Sequence, residues 1–283
     1  MSTRQRPGVI GLGMIGGGVA VSLARSGRPP VVYDVRPDAA HALPGVPEMA
    51  GSVAEVAANA DVVLVAVVDA DQARTVLCGQ DGILGAARPG SVVVLLSTVA
   101  VPVVRELAGK CTEAGVSLLD CGVTPGDRAA ENGMVAILGG EQAAVDTALP
   151  VLRDFTKQVV HCGPLGAGMA TKIARNVITY GTWRAVHEAS KLAERAGVDP
   201  EKLITVVESA DPEGATLFQW QRYRLAADER LRVLASTVEA LQDKDLAAAL
   251  ELAGHFGISS PLVEVTREHG SETLAFPEKE ERR

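Results

Sequence analysis

The most constraining feature of the sequence is a glycine pattern near its start. Residues 11–16 read Gly-Leu-Gly-Met-Ile-Gly. They follow a short apolar run, 8–10, and open a helical pattern that extends from about 15 to 26. A second apolar run, 31–33, follows this helical pattern. Because a strand, a glycine turn, a helix and a second strand form a βαβ unit, the chain is predicted to contain a parallel sheet covered by helices.

The residues of this turn have separate physical roles. Gly11 permits the tight turn, Gly13 lets the backbone approach a pyrophosphate, and Gly16 lets the helix pack close to the strand. The first N–H groups of the helix, at Met14 and Ile15, are available to phosphate oxygens. The spacing therefore predicts that these five residues bind a dinucleotide, whereas an ordinary α/β crossover is the alternative.

An acidic residue, Asp34, ends the second strand. Its carboxylate is predicted to bind the ribose 2′-hydroxyl and to repel a 2′-phosphate, which favours NAD as the cofactor. Arg36 lies two residues further on and is able to tolerate a phosphate. The sequence thus leaves NADP open.

Strand and helix patterns alternate as far as residue 162. Further strands are expected at 61–68, 91–96, 117–120, 134–138 and 158–161. Because ligands of open α/β sheets bind at the carboxyl ends of the strands, Val67 and Val68 are predicted to contact the cofactor. Thr98, after the next strand, is also predicted to contact the cofactor. The alternative is that Thr98 only starts the helix that follows. The turn-forming residues 121–126 are expected to form a loop.

A second glycine-rich turn, starting at Gly163, opens a long helical pattern that ends near 196. Lys172 and Asn176 are four residues apart and therefore share one face of this helix. All later patterns are helical, at about 200–209, 216–227, 243–256 and 262–274, and the charged residues 277–283 are expected to fray. The sequence predicts a doubly wound, Rossmann-type α/β domain over 1–162 and an all-α domain over 163–283, joined by the long helix.

Composition excludes several classes of partner. The net charge of −8 disfavours nucleic acids and acidic membranes. No apolar run reaches the ~20 residues of a transmembrane helix. The four cysteines form no C-x-x-C pair and the histidines show no metal-ligand spacing, so we expect reduced thiols, a cytoplasmic protein and no metal. A helical domain of this size often needs a partner surface, which favours a homodimer or higher oligomer.

Several segments together resemble the β-hydroxyacid dehydrogenase family. They are 11–16, 97–98, 120–126, 163–176 and Lys244-Asp245-Leu246, and the resemblance covers nearly the whole chain. It implies an NAD(P)-dependent oxidoreductase that transfers a hydride between nicotinamide and a small β-hydroxy acid or its semialdehyde or keto counterpart. It also implies that Lys172 is the general acid/base, that Asn176 holds the substrate, and that Lys244 contacts the cofactor side of the cleft between the domains.

The chain departs from the family in the segment that resembles the substrate loop. Members commonly read Asp-Ala-Pro-Val-Ser-Gly-Gly, whereas 120–126 reads Asp-Cys-Gly-Val-Thr-Pro-Gly. Thr124, Pro125 and Gly126 are predicted to bind the substrate. Pro125 removes a backbone N–H and the added methyl of Thr124 narrows the site, so a pocket built for 3-hydroxyisobutyrate is not assured.

Two related enzymes mark the alternatives. The chain resembles 6-phosphogluconate dehydrogenase at 122–124 and at Lys172-x-x-Arg175-Asn176, but Thr179 stands where that enzyme has a second catalytic glutamate. Oxidative decarboxylation is therefore disfavoured. Imine reductases share this architecture but usually replace the lysine by Asp or Tyr. An imine reductase and a catalytically silent NAD-binding scaffold are the alternative functions.

Overall fold

The computed structural model describes residues 5–226 and 229–276. The chain divides into two compact units, Met1–Asn176 and Val177–Arg283, and the division falls within a long helix, Ala167–Arg195. The predicted domain boundary, between residues 162 and 163, stays a prediction. The two units are described separately.

The first unit contains one seven-stranded sheet. Its strands are β1 (Pro7–Ile10), β2 (Val31–Tyr33), β3 (Val62–Val65), β4 (Val92–Leu95), β5 (Ser117–Thr124), β6 (Met134–Gly139) and β7 (Thr156–His161). They lie in the order β2-β1-β3-β4-β5-β6-β7. All neighbouring pairs are parallel except β5 and β6, which are antiparallel. This arrangement confirms the predicted Rossmann-type α/β class.

Helices cover both faces of the sheet. They are α1 (Met14–Arg25), α2 (Val53–Asn59), α3 (Ala70–Cys78), α4 (Ile83–Ala86), α5 (Val101–Glu113), a 3-10 helix (Gly126–Glu131) and α6 (Gln142–Leu152). Successive strand residues enter opposite cores: Val9 belongs to one hydrophobic cluster and Ile10 to the other. Every residue of β1, β3 and β4 is buried, which explains why these strands read as continuous apolar runs.

One prediction about the sheet was wrong. β5 was expected to end at Asp120, with a loop over 121–126, but it continues to Thr124. The reason is a long-range partner, because β6 pairs with this extension, from Cys121 opposite Leu138 onward. Strand pairing therefore overrides the turn preference of the local sequence. β3 is also shorter than the expected run 61–68.

Among the residues that are described, all the regular secondary structure of the second unit is helical. Its helices are the greater part of α7 (Ala167–Arg195), then α8 (Pro200–Ala210), α9 (Thr216–Ala226), α10 (Glu229–Phe256), α11 (Pro261–Glu268) and α12 (Gly270–Leu274). α10 begins well before the predicted residue 243, and the predicted helix 262–274 is two helices that meet at His269. The predicted fraying tail, 277–283, lies outside the described residues.

A buried carboxylate holds two helices of this unit together. Glu188 on α7 accepts hydrogen bonds from the backbone N–H of Leu262, at 3.1 Å, and from Arg184 Nε, at 2.7 Å. The N–H groups at the start of a helix have no partner within the helix, so Glu188 supplies one for α11. Burial would raise the pKa of Glu188, but the bonds to Arg184 and to the backbone outweigh it and lower this pKa.

Within 5–226 and 229–276, no helix is both long and apolar enough to span a bilayer. Over the same residues, no cluster of three His, Cys, Asp or Glu side chains is placed to hold a metal ion.

Candidate active site

The glycine turn between β1 and α1 has the shape of a phosphate-binding loop. Gly11 has a φ of +88°, and a Cβ added there would collide with the carbonyl oxygen of Ala66. A Cβ on Gly16 would collide with the carbonyl oxygen of Gly11. These two positions therefore require glycine, one for the turn and one for the close approach of α1.

Gly13 has the opposite surroundings. No atom lies within 4 Å of the position that its Cβ would take, so open space faces the backbone here. Gly13 is also the N-cap residue of α1 and supplies no side-chain cap. The N–H groups at Met14 and Ile15 therefore begin α1 beside this space. A cradle of this kind fits the pyrophosphate of a dinucleotide.

The carboxylate of Asp34, at the end of β2, is hydrogen-bonded within the protein. It accepts hydrogen bonds from Leu12 N at 2.7 Å and from Arg36 N at 2.9 Å. The guanidinium of Arg36 also donates to it, with Nε at 3.0 Å and Nη2 at 3.1 Å. Burial would raise the pKa of Asp34, but the bonds from Arg36 and Leu12 lower it to about 2. Asp34 is thus ionised at neutral pH, with its charge paired by Arg36.

The ends of β3 and β4 are tied together by Ser97. Its hydroxyl accepts a hydrogen bond from Val67 N at 2.9 Å and donates one to Val67 O at 2.7 Å. Val68 and Thr98 follow these positions and are exposed. Because Ala100 is the N-cap of α5, Thr98 is not the helix-start residue that the sequence left as an alternative. The sequence did not predict that Ser97 would bind Val67. The signal that could have suggested it is a hydroxyl-bearing residue directly after a buried apolar strand.

Lys172 lies against the end of β5. It is half-buried, and its Nζ donates a hydrogen bond to Val123 O at 2.7 Å. Its stem covers Gly122, where an added Cβ would lie 2.7 Å from Lys172 Cγ. Burial, together with the positive charge of Arg175, lowers the pKa of Lys172 below its ordinary value of 10.5. The amine is therefore held at a fixed point, with a pKa nearer to neutrality.

The start of α7 is fastened to β5 by a residue that received no individual role from the sequence. The carboxylate of Asp120 is fully buried and accepts hydrogen bonds from Gly166 N at 2.7 Å and Met169 N at 2.6 Å. The signal in the sequence that could have suggested this role is an acidic residue, Asp120, at the end of an apolar strand pattern.

The segment after β5 packs against α1. A Cβ on Gly126 would lie 2.7 Å from Ile15 Cδ1, so the loop touches the first turn of α1. The 3-10 helix that follows is held by Ser22, whose Oγ donates a hydrogen bond to Ala129 O at 2.8 Å. The first unit thus brings the loop Thr124–Pro125–Gly126 beside the glycine turn.

The two remaining predicted residues lie elsewhere. Asn176 is one helical turn beyond Lys172, and its Oδ1 accepts a hydrogen bond from Arg175 Nη1 at 3.3 Å. Since a guanidinium only donates, this bond directs the amide oxygen of Asn176 toward Arg175 and its NH₂ group away from it. Lys244 belongs to the second unit, where its exposed side chain forms an ion pair with Asp245 at 3.1 Å. The predicted cofactor contact of Lys244 stays a prediction.

Two family models match the chain. Residues 6–163 match the NAD-binding domain of 6-phosphogluconate dehydrogenase. Residues 166–280 match the NAD-binding domain of NADP-dependent 3-hydroxyisobutyrate dehydrogenase. Together with the glycine turn, these matches define an NAD(P)-dependent oxidoreductase.

Individual relatives narrow the class. An uncharacterised oxidoreductase of Mycobacterium tuberculosis H37Rv is 31% identical over 278 residues, which is 96% of this chain and 94% of that protein. The mitochondrial 3-hydroxyisobutyrate dehydrogenase of Mus musculus is 32% identical over 209 residues, 73% of this chain and 62% of the mouse protein. The chain belongs to the β-hydroxyacid dehydrogenase family, as the sequence predicted.

Solved structures agree with this assignment. A 3-hydroxyisobutyrate dehydrogenase of Mycobacterium tuberculosis with L-serine is 26% identical, with a TM-score of 0.68, and the match covers 95% of this chain and 94% of that one. An imine reductase of Myxococcus stipitatus with NAD+ has a TM-score of 0.81 over 96% of this chain and 94% of that one, but is 19% identical. The likeness to the imine reductase therefore shows a common fold alone.

Proposed function

We propose that the protein oxidises a small β-hydroxy acid, or reduces the corresponding semialdehyde or keto acid, with Lys172 as the general acid/base. One observation carries this proposal: a half-buried lysine with a lowered pKa is held by Val123 O at the end of β5, next to the loop at Thr124. An amine of this kind changes protonation state closer to neutral pH than an ordinary lysine does, which suits proton transfer.

Oxidation removes a proton from the hydroxyl oxygen and a hydride from the carbon that bears it. In oxidation, the neutral amine of Lys172 removes the hydroxyl proton while the carbon loses its hydride, so that a C=O bond forms. A nicotinamide cofactor held by the glycine turn would supply the hydride acceptor for oxidation and the hydride donor for reduction. In reduction, the ammonium form of Lys172 polarises the carbonyl oxygen and donates the proton to it. Val123 O keeps Nζ in place through one hydrogen bond, leaving its other donors for a substrate oxygen.

We further propose that NAD is preferred to NADP. The ionised carboxylate of Asp34 lies at the end of β2, where it would accept a bond from a ribose 2′-hydroxyl. Arg36 pairs with this carboxylate but keeps 58% of its side chain exposed, so it is able to turn toward a 2′-phosphate. The preference is therefore expected to be moderate, and comparing the Kd values of NADH and NADPH by fluorescence titration tests it.

The substrate is proposed to be held by Thr124, Pro125, Gly126 and Asn176. Thr124 offers a hydroxyl, and Asn176 offers an amide NH₂ that Arg175 directs away from itself. Pro125 has no N–H, so it is unable to donate a hydrogen bond to a substrate carboxylate. This loop therefore does not favour 3-hydroxyisobutyrate over other small hydroxy acids.

Replacement of Lys172 by alanine tests the function directly. We expect Lys172→Ala to abolish turnover of the best substrate from a panel of 3-hydroxyisobutyrate, L-serine, glycerate and 2-(hydroxymethyl)glutarate, followed through NAD(P)H absorbance. NADH binding should remain, because the glycine turn is unchanged. Lys110→Ala, at an exposed position of α5, is the matched control and should retain activity. Full activity of Lys172→Ala would refute the assigned role, and turnover of a cyclic imine alone would favour imine reduction.

We also propose that the helical unit forms a homodimer. α8, α9 and α11, whose residues are all described, bury none of them. Large apolar side chains are exposed instead, including Trp183 at 66% and Leu225 at 72%. Exposed apolar surface of this kind is typical of an oligomer interface. Light scattering coupled to gel filtration would contradict the proposal if it gave the mass of one chain at micromolar concentration.

A further inference from the structure

The first turn of α7 is clamped to the sheet by close backbone contact. A Cβ on Gly168 would lie 2.5 Å from Ile137 O and 2.6 Å from Gly139 N, which leaves no space for a side chain. At the same point, Asp120 accepts the N–H bonds of Gly166 and Met169. These N–H groups begin a helix and have no helical acceptor of their own, and a carboxylate suits the positive end of the helix dipole.

Lys172 is three residues beyond Met169 on α7, and its side chain packs against β5, the strand that carries Asp120. Its stem rests on Gly122 and its Nζ on Val123 O, so β5 holds both the helix start and the lysine within four residues. A shift of the helix start would therefore move the lysine relative to Val123. It would also change how far the ammonium is buried, which is the main cause of the lowered pKa of Lys172.

We propose that Asp120 is a positioning residue for Lys172: its carboxylate holds the first turn of α7 on β5 and thereby sets where Nζ lies. The inference rests on the proton-transfer role proposed above for Lys172. An asparagine is unable to replace Asp120, because an amide offers one acceptor oxygen and turns its NH₂ group toward a second backbone N–H. One buried donor would lose its partner, and the helix start would loosen.

Competitive acetylation tests the inference without a substrate. Trace acetic anhydride reacts with neutral amines, so the pH at which Lys172 reaches half of its maximal labelling, read by peptide mass spectrometry, reports its apparent pKa independently of its accessibility. We expect Asp120→Asn to move this midpoint upward, toward the ordinary value of a lysine. Asp154→Asn is the matched control, since Asp154 is bonded to Arg28 at 2.6 Å rather than to α7, and should leave the midpoint unchanged.

Kinetics supply a second measurement. With the best substrate of the panel, we expect Asp120→Asn to lower kcat by ~10²-fold, the usual effect of a misplacement of about 1 Å, with the Kd of NADH unchanged. In the pH profile of kcat, the inflection that reports the ionisation of Lys172 should shift in the same direction as the labelling midpoint. Asp120→Glu keeps the acceptor oxygens and should recover part of both effects if it folds.

The outcomes separate the inference from the proposed function. A folded Asp120→Asn variant with the wild-type midpoint and kcat would overturn the inference, even if its melting temperature were lower. Failure of both Asp120 variants to fold would assign the carboxylate to stability alone and would overturn it as well. If wild type turned over no panel substrate while the midpoint still moved, the positioning role would stand and the proposed function would fail.

Discussion

The substitution Gly122→Ala examines the contact between β5 and Lys172. The new Cβ would collide with Lys172 Cβ and would lie 2.7 Å from Cγ and 3.2 Å from Cδ, whereas ordinary van der Waals contact begins at 3.4 Å. Because Lys172 Cβ is fixed to the backbone, this turn of α7 must move away from β5 by more than the ~0.7 Å needed at Cγ, in a core that is packed at crystal density. Such overpacking typically costs about 1–3 kcal/mol of stability.

The effect on catalysis should exceed the effect on folding. Since Nζ moves with the stem, its hydrogen bond to Val123 O lengthens, and a misplacement close to 1 Å lowers kcat by ~10²-fold. Gly109→Ala on α5 is the matched control, because no atom lies within 4 Å of its added Cβ and alanine favours a helix.

The assay compares kcat, the Kd of NADH and the melting temperature of both variants with those of wild type. We expect a large loss of kcat in Gly122→Ala with cofactor binding retained, and no loss in Gly109→Ala. If Gly122→Ala kept kcat within twofold of wild type, the tight contact between Gly122 and Lys172 would have no catalytic importance and our reasoning would be refuted.

Three further predictions concern charge. The oxidation rate should rise with pH through the pKa of Lys172, at a midpoint below 10.5, and the reduction rate should fall through the same midpoint, as initial rates of NAD(P)H change will show. Because the pKa of Asp34 is lowered to about 2, its ionised form stabilises the fold above its ordinary pKa of 3.8. In urea titrations, the stability advantage over Asp34→Asn should shrink as the pH falls toward 2, and a constant difference would contradict this. Glu188→Gln should lower the unfolding free energy by about 1–3 kcal/mol, because a buried acceptor is lost from α11, and an unchanged melting temperature would speak against that role.

Much of the fold was predictable because its causes are local. The turn at Gly11 needs a positive φ, and the close approach at Gly16 excludes a side chain, so the pattern appears directly in the residues. Buried parallel strands read as apolar runs, and the long helix α7 reads as a continuous periodic pattern. These features led from the sequence to an α/β class and to Lys172 near the start of α7.

The extension of β5 was not predictable in the same way. Residues 121–124 favour a turn when they are considered alone, and they form a strand because β6 pairs beside them. The hydrogen bonding between Asp34 and Arg36 was likewise not predicted. The sequence placed the two residues close together, but only the structure showed that Nε and Nη2 of Arg36 both donate hydrogen bonds to that carboxylate.

The sequence by itself therefore determined the cofactor fold, since the glycine turn and the buried strands depend on local backbone conformation and spacing. Its resemblance to a known family indicated the family and the candidate role of Lys172. Tertiary structure decided how the lysine is held. Asp120 binds N–H groups 46 and 49 positions away, and Gly122 supports a stem 50 positions away. Contacts at such separation depend on how strands and helices pack, and no local pattern of residues specifies them.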